Sequence, residues 1–211
     1  MDDVKHHIPE PLLVAYAAGN LAQPFALVVA AHVSLCDGCR ATLEAHQAVG
    51  GALVDTVDEI AVSGDLKARL MDQLDEVAVP APRYGRSGAL PGPVVEVLGG
   101  REPKWKSLGF GVKQSILSAG PEGSVRLLYI PGGQAVPDHG HNGMEMTLVL
   151  QGSFSDETGR YGVGDVEMAD EDLDHTPIAD AGPACICLAA TDAPLRFSSF
   201  VPRLLQPIFR I

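Results

Sequence analysis

"GQAVPDHGHNGMEMTLVLQG", residues 133–152, sets two histidines and a glutamate ahead of an apolar run, with a glycine at each end. In extended chain successive side chains point to opposite faces, so His139 and His141 project to the same side. Glu145 lies across a short turn containing Gly143 and can come back to the same interior point. The segment "MTLVLQG" that follows reads as a strand. On either side come runs of the same texture: "VVEVL", "VKQSILS", "VRLLYI", "DVEMA", "ACICLAA" and "LRFSSF". Strands this short, with a turn every ten residues or so, predict a single antiparallel barrel or sandwich.

Upstream the texture changes. "PAPRYGRSGALPGP", residues 80–93, is rich in proline and glycine, has little apolar periodicity and reads as a linker. Before it the apolar spacing is helical. "PEPLLVAYAAG" has prolines at its start, Leu12, Leu13, Tyr16 and Ala17 on one side, and Gly19 as a stop. "PFALVVAAHVSLC", "GCRATLEAHQAVGGALVDTVDEI" and "DLKARLMDQLDEV" follow, giving about four short helices, each too small to stand alone. The expected fold is therefore α+β in two domains. A small helical domain spans 1–79, a linker 80–93, an antiparallel β-barrel 94–200, and a tail 201–211.

The 211 residues are 46% hydrophobic and carry a formal charge of −12, with a pI near 4.8. Phosphate backbones are gripped by Lys and Arg, so direct nucleic-acid binding is not expected. A basic surface on another protein suits this charge better. The start, "MDDVKHH", has acids where an export signal would be positive. The run "LAQPFALVVAAHVSL" is broken by Gln23, Pro24 and His32 and falls short of the ~18 apolar residues of a membrane span. A cytoplasmic protein without membrane contact is expected. Four cysteines are too few for a disulfide scaffold, and reduced thiols favour metal or redox roles.

Two of them sit in "HVSLCDGC", His32 to Cys39. His32 and Cys36 are four apart and would share one helical face. Cys39 follows three residues later, with Gly38 between to permit a bend. Zinc takes four N or S donors in a tetrahedron. The fourth would come from His6, His7 or His46. A thioredoxin-like motif needs a βαβ setting that the pattern lacks, and buried thiols can simply fill a core. A helical domain this small needs a staple, which favours zinc. The other two, Cys185 and Cys187 in "ACICLA", share one strand face. They read as barrel packing or as an oxidisable pair near the pocket, badly oriented to bond each other.

The histidine pair near the start, followed by His-x3-Cys-x2-Cys, resembles the zinc-binding anti-sigma domain of bacterial transcription regulators. The resemblance runs through almost the whole chain, to ChrR-type anti-sigma factors, which join that domain to a C-terminal cupin (jelly-roll) barrel. Gly133, His139, His141, Glu145 and Gly152 keep every interval of the first cupin motif. Gly164 and His175 keep the eleven-residue interval of the second, with Asp170 and Asp172 in place of its proline and glycine.

The resemblance implies His7 as the fourth zinc donor, with His6 a solvated neighbour. It implies a second divalent metal on His139, His141, Glu145 and His175: zinc first, with manganese, iron or nickel equally compatible with such donors. It implies a regulator rather than an enzyme, binding an extracytoplasmic-function sigma factor one to one and keeping it from core RNA polymerase. Release would follow oxidative stress, singlet oxygen or organic peroxide, sensed through the cupin and its thiols. The apolar stretch "LLVAYAAGNLAQPFALVVAA" would supply part of the partner face. Asp55, Asp58, Glu59, Asp72, Asp75 and Glu76 would complement basic sigma surfaces. The rival is a metal-dependent cupin enzyme, dioxygenase-like, with a helical zinc appendage; it gives the second metal in an acidic helical module no purpose.

Overall fold

The computed structural model describes residues 4–74 and 82–197. The end of the expected helical domain at 79, the first linker residues and the tail 201–211 lie outside them, as do Asp75 and Glu76.

Among the described residues five helices precede the sheet: α1 (Glu10–Ala17), α2 (Gln23–Val33), α3 (Asp37–Val54), α4 (Leu66–Leu74) and α5 (Gly92–Val97). Helices α1, α2 and α5 each carry a proline in the first turn, where a missing N–H leaves no hydrogen bond unmade. Helix α1 stops as the sequence predicts. Gly19 takes φ +71°, its N–H reaches Tyr16 O at 3.1 Å, and Asn20 N–H reaches Ala15 O at 2.9 Å, the paired bonds of a Schellman end.

The fifth helix is a correction. "VVEVL" alternates like a strand, but Pro91, Gly92 and Pro93 start a helix instead, and Val94 and Val95 are buried on it. Two valines side by side can face a core from one helical turn as readily as from a pleat.

The β half has twelve strands among the described residues, all paired antiparallel. The main sheet contains β1 (Lys106–Gly109), β2 (Val112–Gly120), β3 (Gly123–Ile130), β11 (Cys185–Thr191), β5 (Glu145–Gln151) and β8 (Val166–Ala169), in that spatial order. Two small sheets complete the barrel: β10 (Ile178–Ala179), β6 (Phe154–Ser155) and β7 (Arg160–Tyr161); and β12 (Arg196–Phe197), β4 (His139–Gly140) and β9 (Asp174–His175).

The α2 part of the apolar stretch expected to supply a partner face is covered within the chain itself. Phe25, Leu27, Val28, Val29 and Ala31 of α2 are buried, in one cluster with Val125, Leu127, Met146, Leu148, Val166 and Leu188 of the main sheet. Each of these side chains larger than alanine contributes about 1.5–3 kcal/mol on burial. Helix α2 is thus the layer between helical half and barrel. No single described helix is long and apolar enough to cross a membrane.

The exposed apolar surface lies further along the chain. Helix α3 buries Cys39 and Leu43 in its first half and nothing beyond. Val49, Leu53, Val54, Val57, Ile60 and Val62 are each at least 60% exposed, and α4 buries no residue at all.

Candidate metal centres

Helix α2 ends one residue after His32, and Cys36 is already the N-cap of α3, with extended backbone at φ −114°, ψ 109°. His32 and Cys36 therefore do not share one helix. The tight turn between them is closed by Leu35 N–H and Cys36 N–H, both on His32 O at 2.8 Å. Nor does Gly38 make the bend: it sits in the first turn of α3. The knuckle forms because the Cys36 sulfur caps that helix, accepting the Cys39 N–H at 3.4 Å.

The sulfurs converge on His7, whose Nδ1 lies 3.3 Å from Cys36 Sγ and 3.6 Å from Cys39 Sγ. With His32 these residues bring four donor atoms within 4.8 Å of one another. His32 is fully buried; its Nδ1 is 2.9 Å from Gly164 O and its Nε2 has no hydrogen-bond partner. An orphaned nitrogen among two thiols and a second imidazole fits zinc. Burial lowers the His32 pKa to about 4, against smaller opposing effects from Gly164 and Asp165. The ring is neutral near pH 7, as a ligand must be. Burial raises the Cys39 thiol.

The other two histidine candidates lie away from the sulfurs, each beside a carboxylate. His46 Nε2 faces Glu10 Oε1 at 3.1 Å. His6 is not the solvated neighbour that was expected: it is half-buried, its ring 4.5 Å from that of Tyr161, its Nδ1 3.5 Å from Asp165 Oδ2.

In the barrel, β4 and β9 are paired with His139 opposite His175. His139, His141 and His175 are all buried, with one donor atom each inside a 4.8 Å group. His139 Nδ1 donates to Pro137 O at 2.8 Å, the kind of backbone bond that sets the tautomer and ring plane of a ligating histidine. Burial lowers the pKa of both His139 and His141. Glu145, the first residue of β5 and the expected fourth ligand, lies outside that three-histidine group, beside His141. Its Oε2 is 3.7 Å from His141 Nδ1, and its Oε1 accepts from Thr147 Oγ1 at 3.0 Å.

His175 has partners that sequence reading missed. Its Nε2 is 3.2 Å from His141 Nε2, while its Nδ1 is 2.7 Å from Asp156 Oδ2 and 3.3 Å from Glu167 Oε1. Burial opposes charge on this ring, but hydrogen bonds to Glu167 and Asp156 outweigh it and push the pKa up to about 9. Burial and Asp156 push Glu167 up to about 7, with His175 pulling the other way. Asp156 is held far below the usual carboxylate range: burial is outweighed by hydrogen bonds from Glu167, Thr158 and His175. The available signal was an acid between apolar neighbours in "DVEMA", but alternation alone does not say which face is the interior.

A cavity of about 490 Å³ opens onto this cluster, lined by apolar side chains such as Leu128, Val136 and Phe154 and by Arg126, Glu167 and Cys187. Cys185 and Cys187 are both buried and free, with their sulfurs 3.4 Å apart. Hydrogen bonding from Cys185, then burial, then the charges of Glu167 and Glu145 hold the Cys187 thiol well above its ordinary pKa.

Residues 97–193 match the family model described as the ChrR cupin-like domain. The anti-sigma-E factor ChrR of Cereibacter sphaeroides is 54% identical over 211 residues, covering 99% of each chain. Among solved structures, the Rhodobacter sphaeroides SigE complex with the anti-sigma ChrR aligns at a TM-score of 0.80 and 51% identity, over 90% of this chain and 99% of that one. Helical half, donor clusters and barrel fall within one whole-length relationship, and the chain belongs to the ChrR family of anti-sigma factors.

Proposed function

We propose that this protein is a cytoplasmic anti-sigma factor that binds one extracytoplasmic-function sigma factor and blocks its access to core RNA polymerase. The observation that carries the partner contact is the series of exposed apolar side chains from Val49 on α3, through Val57 and Ile60, to Leu70, Met71 and Leu74 on α4. Surfaces of this kind mark protein contacts. The acids Asp55, Asp58, Glu59 and Asp72 lie along it and suit a basic partner. The relatives support this reading: one is named an anti-sigma factor, and the other was solved bound to SigE.

In this reading zinc on His7, His32, Cys36 and Cys39 fixes the α2–α3 knuckle. A divalent metal, zinc before manganese, iron or nickel, is held by His139, His141 and His175 with Glu145 beside them. The cupin half senses singlet oxygen or an organic peroxide at that site or at Cys185 and Cys187, and so frees the sigma factor. A cupin enzyme with a helical appendage leaves the α3–α4 face without a use.

The test is copurification of the full chain with sigma factors of its own organism. Leu53→Asp combined with Leu70→Asp is expected to weaken capture roughly 100-fold or more, since single interface anchors commonly carry about 2 kcal/mol, with the melting temperature unchanged. Undiminished capture by that variant would sink the assignment of this face.

A further inference from the structure

The turn into β8 touches both donor clusters. Gly164, at φ +93°, presents its carbonyl to His32 Nδ1 at 2.9 Å. That positive φ suits glycine, and a Cβ there would also crowd the Val4 Cγ2 methyl at 2.7 Å. Asp165 comes next. Its Oδ1 accepts Lys5 N–H at 2.6 Å and His6 N–H at 2.9 Å, and its Oδ2 accepts Gly162 N–H at 2.8 Å. Val166 N–H then donates to His6 O at 3.0 Å. The chain leading into His7 is thus laced along the outer edge of β8, the last strand of the main sheet.

On β8 side chains alternate. Val166 enters the apolar cluster with α2, and Glu167 enters the barrel interior, 3.3 Å from His175 Nδ1. Asp156 meets the same nitrogen at 2.7 Å from the β6–β7 turn. That is a hydrogen-bond length. It leaves Nε2 of His175 for the cluster it shares with His141.

We infer that Gly164–Glu167 is a common outer frame for both metal centres, with Glu167 and Asp156 as positioning residues for His175, so that loading one centre tightens the other. It rests on the reading above only in that both donor clusters hold metal. A partner on the far nitrogen of a ligating histidine fixes its tautomer and ring plane, and its loss costs roughly 10–100-fold in metal affinity. Here Gly164, which meets His32, and Glu167, one of the two carboxylates at His175, lie within four consecutive residues, while Asp156 reaches His175 from the β6–β7 turn. A shift of that segment is felt at both rings, and linkage makes the effect reciprocal.

Cobalt(II) titrated into the whole metal-free chain tests this. Thiolate-to-cobalt charge transfer reports only on the Cys36 and Cys39 centre, and native mass spectrometry counts the ions. The wild type should take two. Glu167→Gln and Asp156→Asn should each need roughly 10–100-fold more cobalt to load the second ion. In both, the thiolate band should also move to about fivefold higher cobalt or beyond. Glu167→Asp, which keeps the charge, should recover part of both shifts; a collapsed barrel would recover neither. A thiolate band indifferent to every substitution overturns the inference and leaves two separate centres standing. Absence of the band in the wild type removes the metal reading beneath it as well. A third ion, lost in the variants, would make Asp156 and Glu167 ligands and overturn it too.

Discussion

At the scale of single residues, backbone contacts decide which side chain reaches a site. His6 and His7 are adjacent and chemically identical, and nothing in local spacing separates them; the resemblance picked His7. The reason is visible only in three dimensions. Asp165 holds the N–H groups of Lys5 and His6, turning His6 toward Tyr161 and His7 toward the sulfurs. Burial raises the Asp165 pKa, but the bonds from Gly162, His6 and Lys5 outweigh it and leave it lowered. A carboxyl with a lower pKa in the fold stabilises the fold above its unfolded value near 3.8, and that contribution fades as pH falls through the folded value. Asp165→Asn should therefore cost about 1–3 kcal/mol at pH 7. The gap from wild type in urea denaturation should narrow below about pH 4; a gap independent of pH would remove the charge from the account. Asp156 and His175 are 19 residues apart in sequence and meet only through barrel closure, so no motif announced the pair.

At the scale of elements, the intervals of the cupin motif made the barrel readable, because strands alternate and most turns carry a glycine, although the β8–β9 turn, residues 170–173, does not. The donor knuckle was readable as well, although for a different geometric reason than one shared helical face. What misled was apolarity taken alone. Helix α2 and the α3–α4 stretch both carry surplus apolar side chains, and only the sheet's outer face decides which is covered. Phe25, 2% exposed between helix and sheet, is the counterpart to Leu70 at 52%. Phe25→Ala should cost about 3–5 kcal/mol of stability, read as a lowered urea midpoint, with sigma capture retained by whatever remains folded. Leu70→Ala should leave the stability within about 0.5 kcal/mol and weaken capture. Effects in the opposite pattern would mean that α2, not α4, meets the partner.

At the scale of the whole molecule, a sequence that divides into helices, linker and barrel folds around one apolar cluster shared by the first and the last. Linker composition pointed to separable domains, since proline and glycine there carry no packing signal, whereas the join is made elsewhere, by α2 and by residues 4–6 along β8. This bears on what a severed helical fragment, residues 1–79, can do. It keeps all four zinc donors and the exposed α3–α4 face, so it should still capture the sigma factor within about threefold of the whole chain, as expected when the two sites share no partner. It loses the barrel over Phe25, Leu27, Val28 and Val29, and a patch of that kind drives association. Sedimentation should show self-association of the fragment that the whole chain lacks. It also loses the Gly164 carbonyl on His32, so chelator competition should find zinc held roughly 10–100-fold more weakly. A fragment that stays monomeric and grips zinc as tightly as the intact protein would show that the barrel merely rests on the helices, and that signals from the cupin reach the sigma factor by some route other than this shared core.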